Sequence, residues 1–176
     1  LSDVDKFLLT ISFRELVCHM PRNIVPKRFF IAAGEALSKV SEMNAFDKAL
    51  VKAGIAEANL VPVSSVLPAG IMRVSRGRIE RGAITFCVLS RIGGKGNCEM
   101  SAGLAYGLRK DGNGGYVAEG QGRGDSKALR REIEARIVEM ADSRGVEIEH
   151  VEFEIASISV PRGSYGSCVV ALVFCQ

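Results

Sequence analysis

The chain has no tryptophan and only two histidines in 176 residues. With His19 and His150 alone available, a Ser-His-acid triad is hard to assemble, and so is a His-rich metal site. No metal is therefore expected, and His150 reads as a surface or structural histidine in a strand. Cysteine is present but unorganised: Cys18, Cys87, Cys98, Cys168 and Cys175 are odd in number and contain no C-x-x-C pair. That argues against a disulfide framework and against a zinc site built on close pairs. Cysteines in apolar runs behave as small hydrophobes, and a reducing, cytoplasmic setting is expected. No stretch approaches the roughly 18 uninterrupted apolar residues of a membrane helix, so no membrane partner is expected. Charge of one sign is also scarce: 23 basic against 20 acidic residues leave a net +3. Only Arg73 to Arg81 is locally basic, and it reads as a solvated loop or turn rather than a phosphate-binding patch. Composition makes no case for nucleic acid.

What is present is the profile of an ordinary soluble domain, 47% apolar and 24% charged, long enough for one core and too short for two comfortable ones. Residues 1–20 mix Phe7, Leu8, Leu9, Ile11 and Phe13 with Asp3, Asp5 and Glu15, and no basic stretch precedes an apolar one, so they do not read as a signal peptide. They are expected to be an N-terminal extension, either an artefact of the gene start or a helix docked outside. Residues 21–176 form the domain.

Within it, Lys27 to Ala33 reads as a buried strand ended by Gly34. Asn44 is a candidate cap for a helix through Ala53, with Asp47 in its first turn and Gly54 as the stop. Asn59 to Val66 reads as one strand before a Pro68-Ala69-Gly70 turn. Gly82 to Ile92 and Cys98 to Leu108 are strands separated by the turn Gly93-Gly94-Lys95-Gly96-Asn97. Tyr116 to Gly120 is a further strand. Leu129, Ile133, Ile137 and Met140 recur at helical spacing over Ser126 to Arg144, closed by Gly145. Two long strands, Val146 to Val160 and Ser164 to Phe174, finish the chain. Runs of strands with two main helices predict an α+β layered domain.

The turn G-G-K-G-N has the glycines of a phosphate loop but precedes no helix, so the match fails. The candidates that remain are acids, serines and amides. A Ser-Ser pair such as Ser64-Ser65 means little in isolation. Glu119 lies in G-G-Y-V-A-E-G, where a carboxyl can be desolvated and fit to donate protons, or can occupy a sheet position facing solvent.

The segment N-A-F-D-K-A-L-V-K-A-G-I-A-E-A-N-L-V-P-V-S-S-V-L-P, residues 44–68, resembles the signature of pyruvoyl-dependent arginine decarboxylases. The family pattern there is N-A-F-D, then A-G-I, N-L, a Ser-Ser cleavage pair and a following proline. The resemblance continues collinearly through G-Y-V-A-E-G, the helix at 126–144 and the last two strands. It implies a single-domain, four-layer αββα sandwich, assembled as a homotrimer with active sites between subunits. It also implies self-processing into a β chain ending at Ser64 and an α chain starting at the former Ser65. The cofactor would be a covalent pyruvoyl group made from Ser65, and the reaction the decarboxylation of L-arginine to agmatine, a polyamine precursor.

By the same resemblance, Ser65 is the serine whose hydroxyl attacks the Ser64 carbonyl. Asn59 is the amide that holds the oxyanion, a task its NH₂ donor can perform. Glu119 donates the proton after CO₂ leaves, and Asp47 binds the substrate guanidinium, which pairs with a carboxylate through two parallel hydrogen bonds. A first-turn acid favouring the helix dipole is the alternative reading of Asp47. Departures from the family are Ala69, where a second proline is common, and the segment Gly82 to Leu108. They leave room for a pyruvoyl decarboxylase of another amino acid, or for an uncleaved relative that binds small molecules.

Overall fold

Alternating side chains decide the layering. In the computed structural model, which describes residues 24–175, β1 (Arg28–Ser38) turns Phe29 and Ile31 to one face and Phe30 and Ala32 to the other. That is the period-two consequence of a pleated backbone. There follow α1 (Glu42–Ala53), β2 (Asn59–Pro62), β3 (Val66–Leu67), β4 (Met72–Arg73), β5 (Ile84–Lys95), β6 (Cys98–Arg109), β7 (Gly115–Arg123), α2 (Ser126–Asp142), β8 (Ile148–Val160) and β9 (Tyr165–Cys175). The strands form a five-stranded sheet, ordered β2-β5-β9-β1-β4, and a four-stranded sheet, ordered β3-β7-β6-β8. The described residues thus make one mixed α/β domain of two sheets and two helices. The expected extension, residues 1–20, lies outside the described residues.

Three apolar clusters hold the elements together. Phe29, Val88 and Leu172 of the five-stranded sheet meet Met100, Leu104 and Val117 of the four-stranded one. Phe30, Cys87 and Val173, on the opposite face of the larger sheet, pack with Leu50 and Ala53 of α1. Ala105 and Ala118 pack with Leu129, Ile133 and Ile137 of α2. β9 is covered on both faces, which is why Cys168 to Val173 form an unbroken buried run.

Several local expectations change. Gly34 does not end β1. The strand continues to Ser38, and a Cβ at Gly34 would overlap the Ala49 carbonyl oxygen and lie 2.8 Å from the Ala53 nitrogen. The glycine lets α1 approach the sheet. The cap of α1 is Ser41, whose hydroxyl accepts the Asn44 N–H at 3.1 Å, so the helix starts before Asn44. Glu42 is the first-turn acid, and Asp47 falls in the second turn. β5 runs through Gly93 and Gly94 to Lys95, leaving Gly96 and Asn97, the latter at φ 58°, to make the turn. Asn59 to Val66 is not one strand. It divides into β2 and β3, which lie in different sheets.

Candidate functional site

The division of Asn59 to Val66 creates the site. β2 is an edge of the larger sheet and β3 an edge of the smaller, so residues 63–65 carry the chain from one to the other. Val63 donates its N–H to the Cys87 carbonyl at 2.9 Å, still tied to β5. Ser65 accepts the Val117 N–H on its own carbonyl at 3.0 Å, already tied to β7. Between these anchors Ser64 is exposed and Ser65 is a half-buried bend. The Val66 N–H donates to the Ser64 carbonyl oxygen at 3.0 Å, closing a tight turn around Ser65.

The Ser65 hydroxyl donates to Glu119 Oε2 at 2.9 Å. Glu119 sits in β7, half-buried, two positions beyond Val117 and on the same side of the strand. Its backbone is held from two directions. Arg136 of α2 donates to the Glu119 carbonyl at 2.6 Å. Ser90 of β5, buried between the sheets, donates to the Gly120 carbonyl at 2.6 Å and accepts the Gly103 N–H at 3.2 Å. An open cavity of about 400 Å³ adjoins the pair, lined by Ser65, Val117, Glu119, Arg136, Glu139 and Met140 among others. A larger, mainly apolar groove of about 790 Å³ is lined by Val63 and Val66, which flank the serine pair, together with Ile84 and Phe174.

The structure therefore brings Ser64, Ser65 and Glu119 together across 54 positions of sequence between the last two. It does not bring the other two candidates to them within the chain. Asn59, at the start of β2, donates its side-chain amide to the Gly82 carbonyl at 2.7 Å. Asp47 is exposed on α1, which covers the larger sheet, and neither residue lines the Ser65 cavity. Arg136 and Ser90 were not readable as site neighbours. Arg136 stands on what the sequence marks as the polar face of a helix, and Ser90 is a small hydroxyl that follows the apolar run Phe86 to Leu89.

Several other titratable groups among the described residues lie away from this cavity. Arg73 pairs with Glu152 and reaches Tyr106 at 3.2 Å, while Arg81 pairs with Glu57 at 2.9 Å, so part of the basic segment is committed to ion pairs. Burial pushes the Cys87 thiol up to about 11 and the Cys168 thiol up to about 12, where both are inert at neutral pH. His150 is exposed at φ 52° in β8. No helix among the described residues is long and apolar enough to cross a membrane.

A crossover between two sheet edges thus presents a serine pair to a carboxylate, and the comparisons with known proteins place the chain in one enzyme class. The family model described as pyruvoyl-dependent arginine decarboxylase matches residues 28–176. A pyruvoyl-dependent arginine decarboxylase of Methanopyrus kandleri is 30% identical over 153 residues, covering 85% of this chain and 97% of the relative. One from Methanothermobacter thermautotrophicus is 33% identical over 135 residues, covering 76% and 87%. Pyruvoyl-dependent arginine decarboxylase 2 of Archaeoglobus fulgidus is 38% identical over 108 residues, covering 56% and 66%. The chain belongs to the pyruvoyl-dependent arginine decarboxylase family.

Proposed function

We propose that this chain is a precursor that cuts itself between Ser64 and Ser65, converts Ser65 to a pyruvoyl group, and then decarboxylates L-arginine to agmatine and CO₂. The observation that carries the reading is the 2.9 Å hydrogen bond from the Ser65 hydroxyl to Glu119 at the crossover between sheets. A carboxylate there is positioned to take the hydroxyl proton as Oγ bonds to the Ser64 carbonyl carbon. The Ser64–Ser65 C–N bond then breaks, the nitrogen gains a proton, and an ester links Ser64 to the Ser65 side chain. Loss of the Ser65 α-proton expels the Ser64 carboxylate and leaves dehydroalanine. Addition of water releases ammonia.

The surroundings of Ser65 fit the pyruvoyl group. The Ser65 carbonyl accepts the Val117 N–H, and Val66 and Leu67 pair with Tyr116 and Gly115, so the new end of the α chain has anchors on β7 that do not involve Ser64. When present, the group supplies a carbonyl that takes up the electron pair released with CO₂. Glu119 then stands beside residue 65 as the acid that returns a proton to the substrate carbon.

Asp47 remains the proposed partner of the guanidinium. Its exposure on α1, away from the Ser65 cavity, suits a homotrimer in which Asp47 of one subunit reaches the Ser65 and Glu119 of the next. The four-layer αββα order is in keeping with the three apolar clusters. Unpaired Cys87 and Cys168 suit a cytoplasmic setting. The test is incubation of the purified protein with a panel of amino acids while CO₂ and amine products are measured. Agmatine from arginine is expected, and turnover of another amino acid in preference to arginine would move the substrate assignment.

A further inference from the structure

We infer that Glu139 of α2 is a specificity-determining residue, a carboxylate on the chain's own cavity wall that receives one edge of the substrate guanidinium; this rests on the proposed decarboxylation of arginine. Arg136, Glu139, Met140 and Ser143 recur at three and four along α2, so they share one flank of the helix. That flank lines the cavity of about 400 Å³ beside Ser65 and Glu119, and is distinct from the buried face of Leu129, Ile133 and Ile137. A rise of about 1.5 Å per residue sets Glu139 roughly 4.5 Å beyond Arg136 along the helix. Arg136 itself touches the Glu119 carbonyl at 2.6 Å. A substrate joined to residue 65 through its α-amine carries its charged end several bonds away. The group that reads that end must therefore stand on the same wall at a remove from Ser65, and Glu139 does.

The charges around the cavity single it out. Arg136 is engaged with the Glu119 carbonyl and paired with Glu132. Arg144, just past the helix, donates to the Met140 carbonyl at 2.9 Å and lies over the Tyr116 ring at 4.8 Å. Glu119 accepts the Ser65 hydroxyl. Of the charged side chains lining the cavity, Glu139 is the one with neither an ion pair nor a side-chain hydrogen bond among the described residues. The wall therefore presents a free anionic group, which suits a substrate whose far end is a cation. A guanidinium has more than one edge from which it donates parallel hydrogen bonds to a carboxylate. Asp47 of the next subunit and Glu139 can thus hold one cation together. A neutral side chain of the same length gains nothing from Glu139, which is how the residue discriminates.

The test compares Glu139→Gln with Glu134→Gln, made in the full chain. The second removes the same charge from an exposed position of α2 outside the cavity. Steady-state constants for arginine are expressed per cleaved chain, and agmatine affinity is measured separately by titration calorimetry, a readout that needs no turnover. In Glu139→Gln the KM for arginine should rise and agmatine affinity should fall by about 3- to 10-fold, between the effect of an open surface pair and that of a fully engaged charged hydrogen bond, with kcat less affected. Glu134→Gln should stay close to the parent in both. Parent-level KM and agmatine affinity in Glu139→Gln overturn the inference. Equal losses in the two variants overturn it as well, since they would report the net charge of the helix rather than a contact. A parent that neither binds agmatine nor decarboxylates arginine fails the proposed function itself and takes the inference with it, and the parent's own titration tells that case apart.

Discussion

Glu119→Gln removes a charge and leaves almost everything else in place. The amide has nearly the shape of the carboxylate, and the supports of the backbone at 119–120, from Arg136 at 2.6 Å and Ser90 at 2.6 Å, do not involve the side chain. The change is therefore confined to the 2.9 Å contact with Ser65. A glutamine oxygen still accepts the hydroxyl hydrogen bond, but cannot take the proton, and a hydrogen bond to a neutral acceptor is about half as strong as one to a carboxylate. General acid–base assistance contributes roughly 10²- to 10⁴-fold. Cleavage should slow by about 10- to 100-fold, since water can accept the proton in its place. Decarboxylation by the material that does cleave should fall by about 10²- to 10⁴-fold, because the substrate carbon loses its proton donor. The two rates are separated by quantifying cleaved chain by mass and expressing turnover per cleaved chain. Parent-level turnover per cleaved Glu119→Gln chain would refute the role of Glu119 in decarboxylation.

Other expectations follow from individual residues. Asp47→Asn should raise KM for arginine by about 10- to 100-fold with kcat less affected, the loss of a charge-assisted pair of roughly 1.5–3 kcal/mol; an unchanged KM in steady-state assays counts against the contact. Gly34→Ala should lower stability by more than about 2 kcal/mol, because the added Cβ meets backbone atoms of α1 that cannot swing aside; thermal unfolding close to parent would show that α1 can shift freely. Cys87 and Cys168 should resist alkylation in the native protein at neutral pH and react on unfolding. Their raised thiol pKa values bind protons more tightly in the folded state. Their contribution to stability is thus full below an unfolded pKa of 9.0 and lost as pH rises toward about 11 and 12, so denaturant midpoints should fall over that window.

The site was legible in sequence only in part. Ser64-Ser65 carried no weight alone, and Glu119, judged by its neighbours in sequence, read more readily as a solvent-facing sheet residue. Their contact depends on a strand pairing between β3 and β7 that no local pattern encodes. The run N-L-V-P-V-S-S-V looks like a single strand because strand propensity has no term for a change of sheet. Pro62 at its middle, closing a short edge strand, was the local sign of that change. Ser41 and Asn44 are both good caps, and the one that wins is the one whose hydroxyl meets the helix N–H. The helix at 126–142 was readable because its apolar spacing matches one buried face. Asp47 and Asn59 show a different limit. Their separation from the Ser65 cavity in one chain is set by which layer each element joins, and the proposed meeting of Asp47 with substrate needs a second subunit.

The intact mass of the purified protein tests the central claim most directly. Two fragments are predicted, a β chain ending at Ser64 and an α chain beginning at residue 65 without a free amine, its mass shifted as conversion of serine to pyruvoyl requires. A single species at the full 18.9 kDa after prolonged incubation would contradict self-cleavage and, with it, the cofactor on which the proposed reaction depends.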